Sequence, residues 1–252
     1  MKVCYFTATG NSMYVAKRMG GELISIPHAM KNGELEIADD VVGIVCPVYA
    51  GQMPGMVRAF MNKAVIKADY VFFLYTYGMS SSVAEQTAMS VAAKASIKLD
   101  YVNKILMVDN YLPGFEAQKQ INTVGEKDIE GQLDRICSDI DGHKRNVRRL
   151  SVLDKAGMAV VHGTMGKAIL KENAAHKYIV NDSCIKCGIC AKVCPANNIT
   201  VTDKVIFSDH CEVCYACIHN CPKNAIHLKS ERSAVRFRNE HITVKDIIES
   251  NE

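Results

Sequence analysis

The sequence lacks several features that would each indicate a class of protein. None of its 252 residues is tryptophan, which leaves tyrosine and phenylalanine as the large aromatic side chains. No apolar run approaches the ~18 residues of a membrane span, and the N-terminus shows neither a charged n-region nor a cleavage site. No basic stripe with interleaved aromatic residues indicates a nucleic-acid interface. We therefore expect a cytoplasmic protein with no membrane span and no nucleic-acid partner.

Length and composition favour two domains. A chain of 252 residues with 48% hydrophobic residues can bury a sizeable core. It holds 11 cysteines at a formal net charge of only +3. Eight of these cysteines lie between positions 184 and 221, in the last third of the chain. Most of the chain must therefore form something other than the cysteine-rich segment.

The eight clustered cysteines form two runs of identical spacing. The pattern is C-x-x-C-x-x-C-x-x-x-C-P, and the second run follows the first by 27 residues. The repeat extends to Asp182 and Asp209 and to Asn197 and Asn224, so the segment is an internal duplication. The cysteines of the two runs are Cys184, Cys187, Cys190 and Cys194, and then Cys211, Cys214, Cys217 and Cys221.

Both runs resemble the motifs of bacterial two-cluster ferredoxins, over about residues 181–228. This resemblance implies two 4Fe–4S clusters and a small α+β domain. In that family the fourth cysteine of each run ligates the other cluster. Two zinc sites are an alternative, but zinc cysteines typically come as separated pairs without a trailing C-P. Disulfides are a second alternative that suits small secreted chains. The resemblance assigns one cluster to Cys184, Cys187, Cys190 and Cys221, and the other to Cys211, Cys214, Cys217 and Cys194.

A strand–loop–helix unit opens the chain. An apolar run over residues 3–6 leads into a loop rich in hydroxyls, and a helix then runs to Gly20 and Gly21. Helix N-termini bind phosphate through free N–H groups and the helix dipole, and hydroxyls can add donors. The loop lacks the G-K-S/T of a nucleotide P-loop and the G-x-G-x-x-G of a dinucleotide fold. It consists of Thr7, Ala8, Thr9, Gly10, Asn11 and Ser12.

Further apolar runs alternate with helical patterns. Five strands separated by helices predict an α/β fold with a doubly wound parallel sheet. We predict helices over residues 54–64 and 81–95. The further strands are predicted over residues 23–26, 41–46, 70–75 and 105–108.

The loop from Thr7 to Ser12 resembles the phosphate loop of the flavodoxin family, T-x-T-G-x-S/T. The resemblance covers about residues 1–150 and implies FMN, with strand order 2-1-3-4-5 and the cofactor at the switch point. An ordinary turn is the alternative. The chain differs from ordinary flavodoxins in having no tryptophan. In the family two later loops flank the flavin ring. Here Tyr49 and Tyr77 are the candidates that would stack on the ring. The corresponding loops consist of Pro47, Val48, Tyr49, Ala50 and Gly51, and of Thr76, Tyr77 and Gly78.

The remaining segments have weaker patterns. Residues 109–115 either line the flavin pocket or the domain junction, or form a solvated loop. Helical spacing predicts a helix over residues 126–150 with a basic last turn. Residues 151–180 are expected to be a helical connector, residues 181–230 the ferredoxin domain, and residues 231–252 a charged tail that packs back or stays mobile. The other cysteines are expected to be small buried hydrophobic residues: Cys4, Cys46 and Cys137.

The chain as a whole resembles the flavodoxin–ferredoxin fusion proteins of anaerobic bacteria. The resemblance implies an electron-transfer protein that relays electrons between two 4Fe–4S clusters and FMN, with redox partner proteins as donor or acceptor. Such a role needs no catalytic acid or base. The alternative is an FMN-dependent reductase of a small-molecule acceptor, fed by its own ferredoxin domain. A third hypothesis, a cluster-bearing binding module with an empty flavodoxin-like domain, conflicts with the intact phosphate loop.

Overall fold

The apolar runs of the first half form a five-stranded sheet. In the computed structural model, which describes residues 1–166 and 177–252, this sheet has the order β2-β1-β4-β6-β7. All its neighbouring strands are parallel. Counted among its own five strands, the order is 2-1-3-4-5, which confirms the predicted flavodoxin-like fold. The strands in chain order are β1 Lys2–Tyr5, β2 Glu22–Ser25, β3 Glu36–Ala38, β4 Val41–Pro47, β5 Val65–Lys67, β6 Tyr70–Tyr77 and β7 Tyr101–Leu106.

Helices cover both faces of this sheet, and the core lies between the layers. The central strands β4 and β6 are buried over most of their length, as expected for parallel strands with helices on both faces. The short strands β3 and β5 pair in parallel beside the main sheet, and sequence patterns did not predict them. The helices are α1 Asn11–Met19, α2 Ile26–Asn32, α3 Gly55–Lys63, α4 Ala84–Lys94, α5 Ala117–Asn122 and α6 Ile129–Asp141, with a 3-10 turn at Val124–Lys127.

The predicted helix over residues 126–150 is wrong in its second half. Helix α6 ends at Asp141, and Gly142 follows it. The chain then runs beside β7, where Asn146 donates its N–H to the Asp100 carbonyl at 2.9 Å and accepts from the Val102 N–H at 3.1 Å. The four basic residues therefore lie in an extended segment, because pairing with the sheet edge satisfies this backbone; they are Lys144, Arg145, Arg148 and Arg149.

The fifth strand of the main sheet starts earlier than predicted. Strand β7 begins at Tyr101 rather than at residue 105. Asn103 and Lys104 interrupt the apolar pattern of this strand, so the sequence did not predict its first half. Register with β6 nevertheless extends from the pair Phe72 and Tyr101 to the pair Tyr77 and Leu106.

Part of the predicted connector is helical. Helix α7 spans Val152–Val161 and begins with a capping box between Ser151 and Asp154. A π-helical turn at His162–Gly166 follows it. Residues 167–176 of the predicted connector lie outside the described residues. Every helix in the described ranges is too short or too polar to cross a membrane.

The duplicated segment folds as two copies of one unit. Strand β8 (Tyr178–Val180) pairs antiparallel with β11 (Ile226–Leu228), and β9 (Ile199–Val201) pairs antiparallel with β10 (Val205–Phe207). The short helices Ile189–Lys192 and Ala216–His219 also lie 27 residues apart. The sequence repeat is thus a repeat of backbone structure.

The C-terminal tail packs back onto the α/β unit, which decides between the two expectations for it. Ile242 and Ile247 are buried in the same core as the sheet. The last helix, Val244–Glu249, starts with a capping box at Thr243, and its Asp246 forms an ion pair with Lys17 of α1 at 2.8 Å. The tail therefore completes the first core.

Candidate functional site

A cavity of about 250 Å³ opens where β1, β4 and β6 end at their carboxyl termini. This edge is the switch point of a doubly wound sheet, where ligands of such folds bind. We refer to it as the sheet-end cavity. Thirteen of the fourteen residues predicted to hold FMN line it: Thr7, Ala8, Thr9, Asn11, Ser12, Pro47, Val48, Tyr49, Ala50, Gly51, Thr76, Tyr77 and Gly78.

The predicted residue that does not line the cavity is Gly10. It caps the N-terminus of α1 with φ 96°, a left-handed conformation that glycine adopts without strain. A Cβ at this position would lie 2.8 Å from the Cβ of Ile242 in the tail. The left-handed φ and the close packing of the tail therefore both require a glycine here.

Buried hydroxyls gather at the start of α1. Ser12 and Thr76 share a hydrogen bond of 2.9 Å between their hydroxyl oxygens. Thr9 is 2% exposed, and its hydroxyl accepts a hydrogen bond from the Asn110 side-chain amide. Hydroxyl donors at a helix N-terminus suit a phosphate group. The donor set of the sheet-end cavity thus fits a phosphate-bearing cofactor.

Two tyrosines provide flat surfaces further along the cavity. Tyr49 is half-buried and meets Phe6 edge to face, with ring centroids 6.5 Å apart. Burial raises the pKa of Tyr49 well above its ordinary value, so its hydroxyl stays neutral. The Lys104 ammonium lies 5.9 Å from the centroid of the Tyr77 ring. Both predicted stacking residues therefore line the cavity, each from a different loop.

The loop after β7 forms one wall of the sheet-end cavity. For this segment, residues 109–115, the sequence had left open a pocket wall and a solvated loop. Asp109, Tyr111 and Phe115 line the cavity. The Asp109 carboxylate accepts hydrogen bonds from the N–H groups of Met79 at 3.1 Å and Tyr111 at 2.9 Å. Burial raises the pKa of Asp109 above its ordinary value. The loop is therefore part of the site rather than a solvated connection.

The eight clustered cysteines surround two further cavities, in the grouping that crossed ligation requires. Four of them line one cavity and four line the other, and each set takes one cysteine from the opposite run. We call the first set distal and the second proximal, by their distance from the sheet-end cavity. The distal set is Cys184, Cys187, Cys190 and Cys221, and the proximal set is Cys194, Cys211, Cys214 and Cys217.

Sulfur contacts repeat between the two sets. The Asn198 N–H donates to the Cys194 sulfur at 3.3 Å, and the Ala225 N–H donates to the Cys221 sulfur at 3.2 Å. Across residues 1–166 and 177–252, no three His, Cys, Asp or Glu side chains are arranged to hold a metal ion. A 4Fe–4S cube is larger than one ion and is held by four thiolates spread around it. Four cysteines around one cavity fit such a cube.

The two cysteine sets differ in exposure. In the distal set Cys187 is exposed, and the neighbouring Ile185 is 59% exposed. In the proximal set Cys214 and Cys217 are buried. Glu212 anchors the proximal loop, because its carboxylate accepts a hydrogen bond from the Met56 N–H at the start of α3 at 3.1 Å. The distal set thus faces solvent and the proximal set faces the α/β unit.

The proximal loop also enters the sheet-end cavity. Val213, Cys214 and Tyr215 line that cavity together with the sheet loops. Cys214 and Tyr215 line the proximal cysteine cavity as well. The sequence could not predict that the second cysteine run packs against the sheet-end cavity. The two runs share one spacing, and no local feature distinguishes the one that contacts the α/β unit.

Polar contacts fix the junction between the two units. The Asn220 side-chain amide donates to the Ala8 carbonyl at 3.2 Å, and the His219 Nε2 lies 3.0 Å from the Asn110 carbonyl. Burial lowers the pKa of His219 to about 4. A neutral His219 can donate from Nε2 to Asn110 while its Nδ1 accepts from the Phe237 N–H at 3.1 Å. The junction therefore joins the loop from Thr7 to Ser12, the second cysteine run and the tail.

Three cysteines lie outside both sets. Cys4 and Cys46 are fully buried, as predicted. Cys137 is only half-buried, and its thiol donates to the Arg18 carbonyl at 3.6 Å. Burial raises the pKa of Cys4 to about 12. These thiols therefore stay protonated and act as packing residues.

Comparison with known families finds a match in the first half of the cysteine-rich unit. Residues 177–200, which contain the first cysteine run, match the family described as a 4Fe-4S binding domain. The chain has an iron–sulfur site. No curated protein matches the chain in sequence.

Solved structures resemble the chain only weakly. Rubredoxin oxygen:oxidoreductase from Desulfovibrio gigas aligns over 53% of this chain and 36% of its own, at 10% identity and a TM-score of 0.33. The Trp repressor binding protein from Bacillus subtilis aligns over 60% and 99%, at 10% identity and a TM-score of 0.34. A flavodoxin from the domain Archaea aligns over 53% and 99%, at 13% identity and a TM-score of 0.29. The chain spans about a third of the first of these proteins.

Proposed function

We propose that this protein relays electrons between two 4Fe–4S clusters and FMN. One observation carries the proposal: Cys214 lines both the sheet-end cavity and the proximal cysteine cavity. A cluster ligated by Cys214 would share a wall with a flavin in the sheet-end cavity. Direct contact between two redox sites favours transfer between them over transfer to solvent.

Each cofactor has a set of residues that would hold it. The loop from Thr7 to Ser12 would bind the FMN phosphate, and Tyr49 and Tyr77 would flank the ring. The proximal and distal sets would each ligate one cluster. When bound, FMN exchanges one or two electrons while each cluster carries one at a time. The two kinds of cofactor together would convert between single-electron and paired-electron chemistry.

The different exposure of the two cysteine sets suggests where a redox partner protein would exchange electrons. The distal set lies at the surface, with Cys187 exposed, whereas Cys214 and Cys217 of the proximal set are buried. A redox partner protein would therefore exchange electrons at the distal cluster. The chain's own residues would exclude water from the path between the proximal cluster and the flavin.

The loop from Thr7 to Ser12 supports FMN over FAD as the flavin. The chain shows one loop suited to phosphate and no second nucleotide-binding fingerprint. Protein purified without oxygen should release one FMN and about eight iron atoms per chain. FAD in place of FMN, about four iron atoms, or an absence of flavin would each contradict the proposal. An absence of flavin would support the binding-module hypothesis instead.

A second candidate function is reduction of a small-molecule acceptor above the flavin. Asp109 favours it, because this half-buried carboxyl lines the cavity and desolvation raises its pKa. A carboxyl at this position could relay the proton that such a reduction consumes. Steady turnover with small acceptors would support this function, and electron exchange with proteins alone would support the relay.

A further inference from the structure

The two cysteine units share one backbone, including its unusual conformations. Positive φ angles occur at Lys186 and Val213, and at Asn197 and Asn224, always 27 residues apart. A third such pair directly follows the second cysteine of each run. There Gly188 has φ 78° and Tyr215 has φ 59°.

The residues of this third pair differ in a way that the backbone does not explain. Glycine adopts a left-handed conformation without strain, whereas a bulky residue there is an outlier with an energetic cost. Among the described residues, no atom lies within 4 Å of a Cβ built on Gly188, so crowding does not select glycine. Strain at Tyr215 therefore points to a function of the side chain itself.

The position of the Tyr215 ring indicates that function. Tyr215 is 8% exposed and lines both the sheet-end cavity and the proximal cysteine cavity. Its ring packs at 35° against Tyr111, with centroids 6.1 Å apart. Gly188, its counterpart, lines the distal cysteine cavity beside exposed Cys187. The aromatic side chain thus occurs only in the unit that docks onto the α/β unit.

We propose that Tyr215 is a positioning residue for internal electron transfer, whose ring seals the contact between the proximal cluster and the sheet-end cavity against water. The apolar shell around a metal site controls solvent access and local dielectric, and through them the redox potential. The ring would keep the proximal cluster dry on the side that faces the flavin. This inference rests on the relay function proposed above.

Three Tyr215 variants and one control variant of the full-length, cofactor-loaded protein test the inference. Tyr215→Phe keeps the ring. Tyr215→Gly restores the residue of the first unit, and Tyr215→Asn is a second small variant because asparagine tolerates positive φ. Ser96→Gly relieves a positive φ of 58° at an exposed position away from these sites, and it is the control for strain relief.

The sealing role predicts one pattern across these variants. Tyr215→Gly and Tyr215→Asn should slow electron transfer from clusters to flavin about tenfold or more, as small misplacements at reaction sites do. They should also raise the potential of the proximal cluster and speed its iron loss in air, because water reaches it. Tyr215→Phe and Ser96→Gly should match the wild type in all three measurements.

Two results would overturn the sealing role. One is a Gly or Asn variant with wild-type cluster potential, air stability and transfer rate. The other is a Phe variant as impaired as the Gly variant, because then the ring alone does not suffice. If wild-type clusters did not reduce the flavin at all, the relay function would fail, while cluster potential and air stability would still report on sealing.

Discussion

Thr9 occupies the point where three segments of the chain meet. Its carbonyl accepts from the Asn239 N–H of the tail at 2.8 Å, and its hydroxyl accepts from the side chain of Asn110, which follows β7. Thr9 also lines the sheet-end cavity. A ligand phosphate would find this hydroxyl already oriented by its neighbours.

Replacement of Thr9 tests, by removing one hydroxyl group, whether the loop from Thr7 to Ser12 binds the FMN phosphate. Thr9→Ala should remove a hydrogen bond to phosphate worth about 1.5–3 kcal/mol, which weakens FMN binding roughly ten- to a hundredfold. Fluorescence titration of flavin-free protein with FMN would measure the affinity. Thr123→Ala, at a half-buried threonine that does not line the cavity, is the matched control and should leave the affinity unchanged. Unchanged FMN affinity in Thr9→Ala would refute the assignment.

Local sequence could predict some site residues and not others. The hydroxyl-rich loop and the cysteine runs carry their signal in spacing that a strand–loop–helix or a tight cluster loop requires. Asp109 lies in a segment for which the sequence left a pocket wall and a solvated loop equally open, and Tyr215 carries no such signal. They reach the sheet-end cavity only because the loop after β7 and the second cysteine run fold against it. Tertiary approach of this kind leaves no local pattern.

Among the elements, the tail shows how packing decides what sequence left open. Its charged composition suits solvent, yet Ile242 and Ile247 provide two apolar anchors in the main core. The predicted helix over residues 126–150 failed for the converse reason. The apolar spacing that predicted it ends at Ile140, and beyond Gly142 the backbone of Asn146 pairs with an open sheet edge instead.

The last helix should contribute measurably to stability through Asp246. The Lys17 ammonium and the Thr243 hydroxyl hold the pKa of Asp246 below its ordinary range. Asp246→Asn should lower the free energy of unfolding by about 1–2 kcal/mol, from a weakened capping box and a lost surface ion pair. Chemical denaturation would measure it. Glu249→Gln, which removes only the exposed pair with Lys245, should cost about 0.5 kcal/mol or less.

The pH dependence of this effect has a definite sign. A carboxyl with a lowered pKa in the folded state contributes stability above its unfolded value of about 3.9, and this contribution is lost as the pH falls below it. The difference between wild type and Asp246→Asn should therefore be full at pH 7 and shrink towards pH 3.5. A difference that grew on acidification would contradict the assigned ion pair.

Crossed ligation predicts which of the two clusters depends on Cys194. Cys194 belongs to the first run by sequence but lines the proximal cavity. Cys194→Ala should therefore damage the same cluster as Cys211→Ala, and leave intact the cluster that Cys184→Ala damages. Iron content and EPR spectra of the reduced variants would show this. A Cys194→Ala spectrum that matched Cys184→Ala would contradict crossed ligation.

At the scale of the whole molecule, the two units cannot be separated by cutting the chain. Deletion after Val180 would remove the clusters, but it would also remove Ile242 and Ile247 from the core of the α/β unit. Loss of a single cluster ligand is the cleaner change. Cys211 is suitable because it lines the proximal cavity but not the sheet-end cavity.

Rapid mixing with a one-electron donor tests most directly whether electrons reach the flavin through the proximal cluster. Wild type, Cys211→Ala and the control Cys137→Ala would be compared at equal flavin content, with flavin absorbance followed over time. The relay predicts rapid flavin reduction in wild type and Cys137→Ala, and reduction slower by about tenfold or more in Cys211→Ala, where the electron path is interrupted. Equal rates in all three proteins, across several donors, would mean that the clusters do not feed the flavin.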